Sequence, residues 1–196
     1  MSEKTVSTPG RMLLRNVRIA FAQGVFEPQK VDDDSAPRYG ASFLLPKNDP
    51  QVEEIKKRIR IVATEKWKSK ADEILAVLEK KDKTALHDGN DKPKYDGYPG
   101  NFYVSAAAKP DAAPTILNQD RTPFVEGKGM KRIYSGCYVN VSVEFWPQDN
   151  KYGQRVNATL RGVQFAKDGD SFSAARPADS NEFEDVQDGA DASEFA

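Results

Sequence analysis

The chain has 196 residues, 38% of them hydrophobic and 19 aromatic, enough for one folded domain with a core of its own. One cysteine (Cys137) and one histidine (His87) exclude an internal disulfide framework and a four-ligand structural zinc site, and no apolar run reaches the ~18 residues of a membrane-spanning helix. The formal net charge of −1 hides an asymmetry: residues 178–196 hold seven acids and no base, which leaves 23 acids against 29 bases in residues 1–177.

Residues 1–10 read as a disordered start without the apolar segment of a secretory signal. Residues 11–22 alternate as a first strand, with Leu13, Val17, Ile19 and Phe21 on one face and Asn16 and Arg18 on the other. Gly24, Pro28, the aspartates 32–34 and Pro37 mark a loop. A second strand follows over 38–45, with Tyr39, Ala41, Phe43 and Leu45 on one side, and Pro46 ends it.

The period then changes to that of a helix. Asp49 is a natural cap, Pro50 suits a first turn, and Val52, Ile55, Ile59, Val62 and Ala63 form one apolar stripe over about 50–67. A second helix is expected over 70–80, then a loop rich in Asp, Gly, Asn and Pro over 84–100.

Residues 101–109 read as a third strand, on which Phe102, Val104, Ala106 and Ala108 oppose Tyr103, Ser105, Ala107 and Lys109. A short β segment at Thr115–Leu117 and a basic, glycine-containing loop at 124–135 come next. Residues 136–146 alternate most clearly, with Cys137, Val139, Val141, Val143 and Phe145 inward and Tyr138 and Trp146 outward. Pro147 is expected to close that strand, and the last main strand spans 155–166. Its apolar positions slip by one residue at Gly162, as a β-bulge would cause, and 171–173 is a weak sixth candidate.

The expected fold is therefore mainly β with a helical insertion at about 50–80 (α+β): a five-stranded, partly open barrel over 11–177, which the resemblance described below makes OB-fold-like, followed by an acidic disordered tail over 178–196.

No phosphate loop, dinucleotide fingerprint or nucleophile elbow is present. Asp32, Asp33 and Asp34 read as a solvated turn rather than a metal site, so no metal, cofactor or catalytic residue is expected. The positive signal is outward aromatics interleaved with bases: Tyr138 and Trp146 on one strand, Arg155 and Arg161 on the next, Tyr103 with Lys109, and Arg18. Single-strand binders use this mixture, because bases track phosphates while rings stack on nucleobases with little sequence preference. The competing reading is that these aromatics cover a second core.

An ordered series of segments resembles the bacteriophage single-stranded-DNA-binding proteins first catalogued as a domain of unknown function. It comprises LRNVRIAF (14–21), VFEP (25–28), RYGASFLLPK (38–47) and LHDGNDK (86–92). It continues with YPGNFYVSAAAKPDAAPTIL (98–117), YSGCYVNVSVEFW (134–146) and VNATLRGVQFAKDGD (156–170). The resemblance implies an OB-type barrel that binds single-stranded DNA without catalysis in phage replication or recombination, in the cytoplasm of the infected host. The alternatives are a protein-interaction module and a duplex or RNA binder without strand selectivity.

In the groove so expected, Arg15, Arg18, Lys109, Lys131, Arg132, Arg155 and Arg161 contact phosphates. Tyr103, Tyr138 and Trp146 stack on bases, with Tyr39 and Tyr98 as further candidates. The tail either solubilises the chain or competes for the groove and presents Phe183 and Phe195 to replication or recombination partners. Its tip reads EFA, with Ala196 after Phe195.

Overall fold

The computed structural model describes residues 8–30, 33–125 and 133–172. Seven strands form one sheet in the order β3-β4-β2-β1-β6-β7-β5. The elements are β1 (Arg11–Ala20), α1 (Gln23–Phe26), β2 (Tyr39–Pro46), α2 (Pro50–Trp67), α3 (Ala71–Lys80) and β3 (Leu86–Asp88). They continue with β4 (Asn101–Ala108), β5 (Thr115–Leu117), β6 (Tyr138–Asn150) and β7 (Gly153–Lys167). A parallel contact between β4 and β7, with Ala107 opposite Thr159, bends the sheet back on itself. Strands β4, β2, β1, β6 and β7 thus make the expected five-stranded ring, and the single-pair seam leaves it partly open.

The core fills the ring with the inward residues that strand alternation selects. Val139, Val141, Val143 and Phe145 of β6 and Val156, Leu160, Val163 and Phe165 of β7 are all buried, as is Cys137. Burying each such side chain stabilises the fold by roughly 1.5–3 kcal/mol. The slip at Gly162 is a real bulge: Ser142 faces Gly162 and Val143 faces Leu160, so Arg161 is the extra residue.

Helix α2 begins as its sequence dictates. The Asp49 carboxylate accepts the Gln51 amide at 2.8 Å, and Pro50 occupies the first turn. Its stripe of Val52, Ile55, Ile59, Val62 and Ala63, ending at Trp67, is buried against β1 and β6.

Five local expectations are corrected. On β1 the inward residues are Leu14, Val17 and Ile19, while Leu13 and Phe21 are exposed. A second bulge at Arg15–Asn16, where the register jumps from Leu14 to Val17 against only two residues of β6, moves the inward position from Leu13 to Leu14, while Phe21 lies past the end of β1 with φ +59°. Pro147 does not end β6, because it pairs with Val156 at a strand extremity that runs to Asn150. Residues 84–100 hold the short strand β3, and residues 23–26 the single helical turn α1. Ser171 and Phe172 are not in a strand. Phe172 instead packs its ring on a small second cluster of Ala20, Leu44, Tyr98 and Tyr103 on the outer side of the sheet.

Candidate nucleic-acid interface

Above the β4–β7 seam lies an open groove of about 710 Å³. One wall is the outer face of β4 and its end, with Ser105, Ala107 and Lys109. The other is the β6–β7 hairpin, with Trp146, Tyr152, Arg155 and Arg161. Arg38, just before β2, and Lys83 and His87, around β3, complete the rim. Five permanent cations thus face one acid, Asp82, whose carboxylate is 2.6 Å from His87 Nδ1. Low-dielectric walls lined by one sign of charge concentrate the field on an anionic ligand.

The hairpin is held in place from below. Asp149 accepts hydrogen bonds from Gln154 Nε2 at 3.1 Å and from Trp67 Nε1 at 2.8 Å. These two bonds hold its carboxyl below the usual range. They tie the turn end of the hairpin to the end of α2. At the tip, Gly153 takes φ +100°, a conformation open to glycine, and Asn150 Oδ1 accepts the Tyr152 amide at 2.9 Å. Tyr152 is 78% exposed and Trp146 41% exposed, so two rings stand in solvent beside Arg155. Arg161 is engaged by Glu144, with N···O distances of 2.7 and 2.6 Å, which orients its guanidinium and offsets part of its charge.

Of the residues singled out from sequence, the groove gathers Lys109, Trp146, Arg155 and Arg161. Tyr98 and Tyr103 are not on an open face: they are 1% and 4% exposed, edge to face at 4.9 Å. The loop over 89–100 and Phe172 roof that side of the sheet. Burial pushes the Tyr103 phenol up to about 12, so it stays neutral. Stacking by these two rings on bases is therefore corrected to a packing role, the second-core alternative.

Arg18 donates from Nε to the Gly136 carbonyl at 3.0 Å and from its guanidinium to the Asp170 carbonyl. Its head lies 4.3 Å from the Phe172 ring centre and 5.6 Å from that of Tyr138. This arginine braces the segment that follows β7, away from the groove. Tyr138 lies under the Lys167 ammonium, 4.5 Å from its ring centre. Arg15 is exposed at the Arg15–Asn16 bulge, its backbone bonded to the Gln51 side chain at 2.7 Å, and Tyr39 packs half-buried against the main core. Lys131, Arg132, Phe183 and Phe195 lie outside the described residues. Arg38, Lys83 and Tyr152 belong to the groove and were not singled out. The only signal for Tyr152 was its place in the QDNKYG turn between two strands that themselves carry candidates.

Among the described residues no three His, Cys, Asp or Glu side chains cluster to hold a metal ion, and no helix is long and apolar enough to cross a membrane.

Fold and site together define a small, partly open β-barrel with a cationic, aromatic-walled groove across its seam. A family model described as Enterobacter phage Enc34, ssDNA-binding protein, matches residues 11–194, and the chain belongs to that family. The chain is 42% identical over 179 residues to protein p50 of Acyrthosiphon pisum secondary endosymbiont phage 1, covering 90% of this chain and 94% of that one. Among solved structures it is similar to the single-stranded DNA-binding protein from bacteriophage Enc34 in complex with ssDNA. That match has a TM-score of 0.68 at 25% identity and covers 84% of this chain and 90% of the other. The fold is also that of gp2.5, a single-stranded DNA binding protein encoded by bacteriophage T7, with a TM-score of 0.51 at 12% identity over 93% of this chain and 98% of that one. None of these matches is to an enzyme family.

Proposed function

We propose that the chain binds single-stranded DNA non-catalytically in the groove over the β4–β7 seam, during phage replication or recombination in the host cytoplasm. The observation that carries this reading is the meeting of five cations with the exposed rings of Trp146 and Tyr152 in one open groove. The relative from phage Enc34 solved in complex with ssDNA supports it. Arg38, Lys83, Lys109 and Arg155 neutralise phosphates, while Trp146 and Tyr152 stack on bases. Stacking requires bases turned out of a helix, so duplex DNA is a poorer ligand. A fluorescein-labelled oligo-dT in an anisotropy titration, with unlabelled duplex and RNA as competitors, tests the reading. Displacement by oligo-dT well before duplex or RNA is expected; equal displacement by all three contradicts strand selectivity.

The acidic segment 178–196 competes with the strand for the groove, since its seven negative charges are attracted to the same cations. Its Phe183 and Phe195 offer apolar contacts to replication or recombination proteins. A chain ending at residue 177 is expected to bind oligo-dT more tightly, with the largest gain at low salt, where tail and groove attract most strongly. Unchanged affinity on truncation would reject the competition.

A further inference from the structure

We propose that Phe21 and Tyr95 form a second base-stacking platform for the same DNA strand, beyond the His87 end of the groove. The inference rests on the single-strand reading above and extends it to a bipartite site.

Phe21 follows β1 directly and is 51% exposed; Tyr95, from the loop between β3 and β4, is 49% exposed. Their ring centres are 5.6 Å apart at 72°, so the two rings make one exposed aromatic surface rather than two isolated ones. Single exposed apolar residues need no explanation, whereas a contiguous exposed aromatic pair offers a surface on which a base can stack. Phe21 moreover has φ +59°, the left-handed region that bulky side chains avoid. The backbone therefore holds a phenyl ring in water in a conformation that glycine or asparagine would adopt more easily. Such strain concentrates at functional positions.

The platform is continuous with the groove. His87 lines the groove and stacks on Tyr103, with centres 4.9 Å apart at 21°. Tyr103 meets Tyr98 at 4.9 Å, and Tyr98 meets Tyr95 at 5.6 Å and Phe21 at 6.4 Å. Tyr103, Ser105, Ala107 and Lys109 share one face of β4, so groove and aromatic cluster lie side by side on that strand. The six residue steps from Lys109 to Tyr103 span about 20 Å of extended chain, within reach of the roughly 4–16 nucleotides that a barrel of this kind covers. The buried tyrosines form a rigid base for the exposed rings.

Charge follows the same path. The Lys92 ammonium is 5.2 Å from the Tyr103 ring centre and 5.9 Å from those of Tyr95 and Tyr98. An exposed cation beside exposed rings repeats, at this end, the pairing of Arg155 with Trp146 and Tyr152 in the groove. Continuity with the cationic groove and an exposed lysine beside the rings favour a nucleic-acid occupant over an apolar peptide.

The test is a full-length chain carrying Phe21→Asn and Tyr95→Ser. Asparagine tolerates the positive φ at position 21, and Tyr98 and Tyr103 are left intact to keep the cluster packed. Thermal unfolding by circular dichroism checks that the variant is folded. Oligo-dT of about 6 and about 20 nucleotides is titrated by anisotropy, lengths that bracket part and all of such a footprint. The proposal expects a loss of about tenfold or more on the long probe and little change on the short one, which the groove alone accommodates. Wild-type affinity for both lengths would overturn the platform and leave the groove standing. Equal loss on both lengths would also overturn it, because the two rings would then act on the groove itself. Failure of the unmodified chain to bind either probe would reject the single-strand reading, and the platform with it.

Discussion

Replacing Arg38, Lys109 and Arg155 together with alanine is expected to weaken oligo-dT binding by roughly 10²–10³-fold at about 50 mM salt and by only about tenfold at 0.3 M. The reasoning is electrostatic. Each phosphate neutralised on a single strand releases condensed counterions and adds about 0.7 to the slope of log affinity against log salt. Removing three such contacts flattens the slope by about 2. All three side chains are exposed, and none donates a side-chain hydrogen bond among the described residues, so stability is expected to stay within about 0.5 kcal/mol. Affinity measured at four or more salt concentrations gives the slope directly. A parallel downward shift with unchanged slope would mean that these residues act through the fold and not on phosphates.

Trp146→Ala carries the opposite signature. Loss of one base-stacking ring costs about 1–3 kcal/mol, or about 5–150-fold in affinity. That cost is the same at every salt concentration, because no counterion is involved. Trp146 is on the outward face of β6 opposite Asn157, and at 41% exposure its removal leaves no closed cavity in the core. Titration at the same salt series checks it: a constant displacement is expected, while unchanged affinity would assign Trp146 to the surface and not to the site. The two sets of substitutions thus separate stacking from charge within one groove.

How far the sequence reached depends on which physical rule was in force. Strand alternation is local, so the inward residues of β6 and β7, and even the bulge at Gly162, were legible from the pattern of apolar side chains. The bulge at Arg15–Asn16 was not, because a one-residue slip there leaves two apolar registers, one through Leu13 and one through Leu14, and only the pairing with Val141 and Val139 selects the second. Alternation also says only that a residue does not point into the barrel. It does not say whether water or another layer lies outside. Tyr103 failed on this ground: the loop over 89–100 and Phe172 cover it.

Position around the ring was equally invisible. Arg18, Tyr138 and Arg155 all read as outward, yet Arg18 and Tyr138 sit at the segment after β7 and Arg155 at the seam. Arg38, Lys83 and Tyr152 come from connections, which carry no period, and only the closure of β4 on β7 brings them together.

The central claim is that a strand lies against Trp146 in the seam groove. The most direct measurement is tryptophan fluorescence of a Trp67→Phe variant titrated with oligo-dT and with a matched duplex, at low and moderate salt. Trp67 is buried at the end of α2, so this variant leaves the half-exposed Trp146 as the single reporter; because it also removes the Trp67 bond to Asp149, its affinity for oligo-dT is first matched to that of the unmodified chain by anisotropy. Quenching by oligo-dT, weaker with duplex and diminished by salt, is the predicted result. Binding of oligo-dT by anisotropy without any change in Trp146 emission would place the strand elsewhere on the barrel and contradict the account.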